Sequence, residues 1–142
     1  ISGGTVTNTV PSQCQVMVDF RVPDRQAADD IVAKMRALKP VGSDVTLDID
    51  VELNRPPMVK TDAVAGLLAR AQTWAAEAGL VLEDAPMTGG ASDANFTAAL
   101  GVPTLDGLGA DGDGAHTLHE YILVSTLAPR LTFWNLLLKN LN

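Results

Sequence analysis

Cysteine, histidine, aromatic and basic residues are all scarce in this chain, and each scarcity narrows what it can be. The single cysteine, Cys14, sits in an alternating apolar series, where a small buried thiol is expected rather than a disulfide partner or a nucleophile. Ten Lys and Arg against 17 Asp and Glu leave a net charge of -7, and the basic residues are scattered. Binding to a phosphate backbone is therefore disfavoured, and nucleic acid is set aside as a partner. No run of about 18 apolar residues occurs, so no segment reads as a transmembrane helix and no membrane partner is expected. The histidines number two, with no other histidine or cysteine at metal-ligand spacing, so His116 is either an ordinary loop residue or one ligand of a larger set. The first residues, Ile-Ser-Gly-Gly, carry neither an initiator methionine nor a basic-then-apolar leader. Ile1 is therefore expected to be a boundary left by processing or cloning, with the chain beginning inside a domain.

What is present suits a soluble globular protein: 142 residues can bury one core, and 46% of them are hydrophobic. The compartment, cytoplasmic or periplasmic, stays open. From Gln13 to Val22, Cys14, Val16, Val18, Phe20 and Val22 alternate with polar or exposed-type positions, which predicts a strand with one covered face and Arg21 pointing away from it. Pro23-Asp24 stops that strand and caps a helix whose apolar positions, from Ala28 to Leu38, recur at helical spacing until Lys39-Pro40. A second one-sided strand is expected over Val45 to Leu53. Asn54-Arg55-Pro56-Pro57-Met58 then breaks all periodicity and marks a hinge, dividing the chain into 1–54 and 55–142. Beyond it the pattern predicts a helix capped by Asp62 and ended by Gly79, and a short strand near Leu80 to Glu83. A helix opened by Ser92 with Phe96 and Leu100 inside, a strand at Thr104 to Leu108, and an apolar helix from about Ser125 to Leu141 complete it. The alternation of strands and helices makes the fold class α/β, with an α+β first part.

Three groups of residues could carry chemistry. Gly89-Gly90 before Ser92 frees backbone N–H groups at a helix start, which suits an anion or oxyanion, although Ser92, Asp93 and Asn95 are also ordinary capping and turn residues. The run from Asp106 to His116 is rich in acids and glycines; it lacks the ligand order of a calcium loop and reads as a solvated loop able to present catalytic groups. Thr117-Leu-His-Glu120 matches a capping box, which leaves His116 as the preferred ligand and His119 as a bystander. Arg21 and Arg55 stand beside strand ends, where a guanidinium fork could grip a carboxylate or merely keep the surface soluble.

Taken together, Gly3-Gly4-Thr5 to Asn8 and Pro11, Asp19-Phe20-Arg21, Asn54-Arg55-Pro56, Gly89-Gly-Ala-Ser-Asp-Ala-Asn95-Phe96-Thr97 and Gly114-Ala-His116-Thr117 with Glu120-Tyr121 resemble the C-terminal part of an M20-family metallopeptidase. The likeness is to the glutamate carboxypeptidase and acetylornithine or succinyl-diaminopimelate deacylase group, and it covers essentially the whole chain. It implies a fragment of a two-domain zinc-peptidase fold, with residues 1–54 as part of a lid that also forms a homodimer and residues 55–142 as the C-terminal part of the catalytic domain. By that resemblance His116 is a zinc ligand, Asn8 and Arg21 reach the substrate from the lid, Arg55 grips its carboxylate, and Gly89 and Gly90 line the pocket. The family's two zinc ions would be completed by ligands and a glutamate base that this chain lacks, so the chain alone is expected to be inactive and to hold no catalytic residue. Departures are His119, where an acid is frequent, and Ala94, where glycine is frequent. The implied activity is hydrolysis of an amide beside a free carboxylate, in a peptide or an N-acyl amino acid. The alternatives are an N-acyl amino-acid deacylase, or a non-catalytic module that holds acidic small molecules.

Overall fold

The computed structural model describes residues 1–141. Helices account for most of its regular structure: α1 (Arg25–Arg36), α2 (Asp62–Glu77), the short α3 (Ala94–Ala99) and α4 (Leu127–Asn140), the last entered through a 3-10 turn at Val124–Thr126. The strands are short. β1 (Ser2–Gly3) pairs antiparallel with β2 (Cys14–Gln15), and β3 (Gly112–Asp113) pairs antiparallel with β4 (Tyr121–Ile122). Mixed helices and small sheets agree with the α/β class.

The helix boundaries follow local chemistry. Asp24 caps α1, its carboxylate accepting from the Ala27 amide at 2.8 Å, and Lys34 and Arg36 occupy the last turn, where cations suit the dipole. The cap of α2 is Thr61 and not Asp62: the threonine hydroxyl accepts from the Val64 amide, while Asp62 sits in the first turn as a favourable anion. Gly79, at φ +75°, follows the end of α2 in the left-handed conformation that a glycine adopts without strain.

The main core lies between α2 and α4. Ala71 and Ala75, one turn apart on α2, face Phe133 and Leu137, one turn apart on α4, and all are buried. Small residues on one helix leave room for the large ring on the other, and Phe133 is fully enclosed at 0% exposure. Leu80, Leu82, Leu105 and Leu108 pack against this cluster from the segments on either side of α3. The remaining apolar side chains of α4 are not all covered: Leu131 and Leu138 are exposed, so the helix buries one stripe and not its whole circumference.

Several expected strands do not form. Of the run Gln13 to Val22 only Cys14 and Gln15 enter a ladder, and 45–53, 80–83 and 104–108 carry no strand hydrogen bonds. Alternation specifies which side chains share a face, but a strand also needs ladder hydrogen bonds to a neighbouring backbone, and these segments make none among the described residues beyond Cys14–Gln15. The two runs nevertheless border the same space, although neither shows one covered face. Val16, Met17, Val18, Leu47, Asp48 and Ile49 line one open trough of about 1400 Å³ with Met35 of α1 and Leu38 just beyond it. Because that trough is open, Cys14 is exposed and not a buried thiol. Phe96 and Leu100, expected inside, are likewise exposed, since α3 has too few turns to lay a stripe on the core.

Candidate functional site

The segment from Gly89 to Phe96 is built around its polar side chains. Ser92 accepts the Ala94 amide on its hydroxyl at 3.0 Å, and the Asn95 side-chain oxygen accepts the Ser92 amide at 3.0 Å. These reciprocal bonds tie Ser92 and Asn95 into the entry of α3 as local turn residues, and they do not involve the Gly89 and Gly90 amides. Asp93 is different. It occupies the cap position of α3 without making a cap bond.

Its carboxylate instead meets Arg55, from Nη2 to Oδ1 at 2.9 Å, across 38 residues of sequence. The Asn95 side-chain amide adds a bond to the Pro56 carbonyl at 2.8 Å, so Arg55 and Pro56 are both tied to the entry of α3. The Arg55 guanidinium also lies over the Phe96 ring, 5.3 Å from its centroid. Arg55 is thus held in place while only part of its fork is engaged: its Nε is buried with no partner among the described residues. Its side chain is 36% exposed and that of Asp93 is 91% exposed, so their ion pair is worth at most about 1 kcal/mol and a competing carboxylate could displace it.

Arg21 reaches the same segment from the other side of the hinge. Its Nη1 donates to the Gly89 carbonyl, and its Nη2 meets Asp19 at 3.3 Å. Arg21 and Gly89 are therefore in direct contact although 68 residues separate them. A Cβ built on Gly89 would sit 3.5 Å from the Arg21 Cδ, an ordinary contact, so this glycine is not demanded by crowding. Gly90 has only Thr88 beside it. Asn8 is exposed and makes no side-chain hydrogen bond to the other expected site residues among those described.

His116 stands apart, on the turn closed by β3 and β4. It is the only non-glycine among the described residues with a left-handed backbone, φ +66°. Histidine tolerates that region better than most residues, and such outliers collect at functional sites. The turn is internally braced: Thr117 donates both its amide (3.0 Å) and its hydroxyl (2.7 Å) to the Gly114 carbonyl, and the same hydroxyl accepts from the His119 amide at 3.1 Å. Asp113 accepts the Gly114 amide at 2.6 Å. The expected capping box is not formed, because Thr117 closes a turn with no helix after it and the Glu120 side chain makes no bond there. The run from Asp106 to His116 is largely exposed, as expected of a solvated loop, and Gly112–Asp113 within it opens a short hairpin whose base is tied to α4. Arg130 supplies that tie, and inspection of the sequence did not single it out; the available signal was a lone cation in the first turn of an otherwise apolar helix.

A zinc centre requires three protein ligands and a water, or four ligands. Among the described residues no three His, Cys, Asp or Glu side chains come together as such a group. The residues present do not by themselves fit a complete zinc site; both imidazoles are exposed and could contribute at most a ligand each.

The model for peptidase family M20/M25/M40 matches residues 3–140, and the chain belongs to that family. Carboxypeptidase G2 of Pseudomonas sp. (strain RS-16) is 28% identical over 131 residues, a stretch covering 90% of this chain and 32% of that protein. The chain thus spans about a third of the length of the curated relative it matches. No solved structure matches it. No helix among the described residues is long and apolar enough to cross a membrane.

Proposed function

We propose that this chain is part of a zinc-dependent hydrolase that cleaves an amide bond beside a free carboxylate, and that it supplies the carboxylate-binding side of the site. The observation that carries this reading is Arg55: set over the Phe96 ring and paired through Nη2 with Asp93, a highly exposed carboxylate. A substrate carboxylate would replace the weakly held Asp93 on the guanidinium. Arg21, beside Gly89, would place a second cation near the same segment, with Asn8 and Gly90 as further substrate contacts. Residues 1–54 would act as part of a lid and homodimer surface, and residues 55–142 as the C-terminal part of the catalytic unit.

In this reading His116 contributes one ligand to a metal centre whose other ligands and general base come from outside this chain. The metal would polarise the scissile carbonyl and acidify a water. The role of the residues described is to bind and orient: the arginines fix the carboxylate, and with it the position of the amide. Family membership and the likeness to a carboxypeptidase support a peptidase. The same clamp would also serve an N-acyl amino-acid deacylase, so dipeptide and N-acyl substrates should be compared.

The test is substitution at the two histidines in the longer polypeptide. His116→Ala is expected to lower zinc content and activity together, and His119→Ala to change either only modestly. Full zinc occupancy after loss of His116, with a deficit after loss of His119, would move the ligand to the other imidazole. Absence of zinc and of amide hydrolysis in the unsubstituted polypeptide would favour a module that only binds acidic small molecules.

A further inference from the structure

At the base of the hairpin that carries His116, Asp111 makes three bonds. Its carboxylate meets Arg130 Nη2 at 2.5 Å, its amide donates to the Thr126 hydroxyl at 3.1 Å, and its carbonyl accepts the Leu123 amide at 2.7 Å. Thr126 closes the knot by donating its hydroxyl to the Leu123 carbonyl at 2.7 Å. These bonds lie immediately outside the Gly112–Asp113 and Tyr121–Ile122 pair, so they form the base from which the 114–120 turn projects.

The Arg130 side chain is only 14% exposed, whereas that of Asp111 is 51% exposed. Arg130 is set into α4 three residues before the fully buried Phe133 and therefore moves with the core. Its Nε and Nη1 are buried with no partner among the described residues, so Asp111 provides its one neutralising contact. A partly buried cation with a single anionic partner holds that partner more firmly than an exposed pair does, because separation strands the charge.

We propose that Asp111 and Arg130 are a positioning pair: through them the rigid α2–α4 core sets the place of the hairpin and keeps His116 in its left-handed conformation. The proposal rests on reading His116 as a functional ligand only for its significance; the mechanical claim concerns the hairpin itself. The pair does for His116 what packing cannot, since the turn is exposed and has no apolar anchor of its own.

The experiment uses the labelled 142-residue chain and nuclear magnetic resonance. The readouts are the backbone carbon shifts of His116, which report its φ, and the exchange rate of the Leu123 amide. In Arg130→Met and in Asp111→Ala, the left-handed signature of His116 should be lost and Leu123 exchange should rise roughly tenfold, the scale of one charge-assisted hydrogen bond. Signals of Ala71, Ala75 and Leu137 should stay in place. Arg130→Lys retains a cation for Asp111 and should preserve the His116 signature.

A folded Arg130→Met or Asp111→Ala chain with unchanged His116 shifts would overturn the proposal, since the turn would then be self-supporting through Thr117. Equal loss in the lysine variant would overturn it too, because the cation would still be present. If Arg130→Met does not fold, Asp111→Ala decides, as its side chain is half exposed; collapse of the core in both variants would show that the pair holds the core and not the hairpin. The ligand role of His116 is judged separately by the zinc content of His116→Ala. Either claim can thus fail while the other stands.

Discussion

Replacing Phe133 by alanine should remove most of the stability of this chain, because so much of its core depends on that ring. The buried cluster consists of Ala71, Ala75, Phe133 and Leu137, and Phe133 is its only large side chain at 0% exposure. Truncating a fully buried phenylalanine costs about 3–5 kcal/mol, from lost transfer energy and from the cavity left behind. The facing alanines have no side-chain atoms beyond Cβ with which to fill that cavity, which places the loss toward the upper end. Domains of this size are stable by about 5–15 kcal/mol, and a core this sparse belongs near the bottom of that span. Urea denaturation followed by helical circular dichroism should therefore show a Phe133→Ala midpoint moved to very low urea, or no folded baseline at all. Leu138→Ala is the internal control: same helix, 65% exposed, and an expected change within about 0.5 kcal/mol. Equal destabilisation by the two substitutions, or a Phe133→Ala midpoint close to that of the parent, would show that the α2–α4 contact is not what holds the chain together.

Further outcomes follow from the caps and the strained turn. Asp24→Ala and Thr61→Ala each remove an acceptor for a helix-start amide and should cost about 1 kcal/mol, read from the same denaturation curves, whereas Asp62→Ala should cost less because Asp62 makes no cap bond. His116→Gly should stabilise the chain by roughly 1 kcal/mol, since glycine adopts φ +66° without the Cβ penalty; an unchanged or lowered midpoint would mean that the left-handed conformation is not strained.

The helices were legible because their signals are local. Asp24 and Thr61 stand immediately before helical periodicity, Gly79 immediately after it, and caps act within one turn. The placement of α2 owes nothing to distant residues, and only its cap was assigned one position late. Strands are different in kind: the alternation at 13–22 and 45–53 marked two runs that border one trough, but a ladder is a contract between segments far apart, and periodicity in one segment says nothing of whether the other pairs with it. The same distinction runs through the site. Arg21, Arg55 and the 89–96 segment were singled out by residue type and by resemblance, and the structure brings Arg21 to Gly89 and Arg55 to Asp93. That Asp93 would serve Arg55 and not its own helix could not be read from a sequence in which Asp at a helix start has an obvious local use. Arg130 escaped notice for the complementary reason: its partner Asp111 lay in a run whose glycines and acids suggested solvent. Asn8 and His116 have no side-chain hydrogen bond to the arginines among the described residues, so their proposed roles rest on the family resemblance and, for His116, on its backbone.

The carboxylate clamp is tested most directly by Arg55→Lys in the longer polypeptide, assayed on paired substrates that differ only in a free or an amidated terminal carboxylate. Lysine keeps the charge and loses the planar fork, so a bidentate contact would be lost while long-range attraction remained. A charge-assisted hydrogen bond is worth roughly 1.5–3 kcal/mol, so kcat/KM for the free carboxylate should fall on the order of tenfold or more, with zinc content unchanged and little change for the amidated substrate. An equal fall for both substrates, or none for either, would contradict the account and leave Arg55 as a structural tie between the hinge and Asp93.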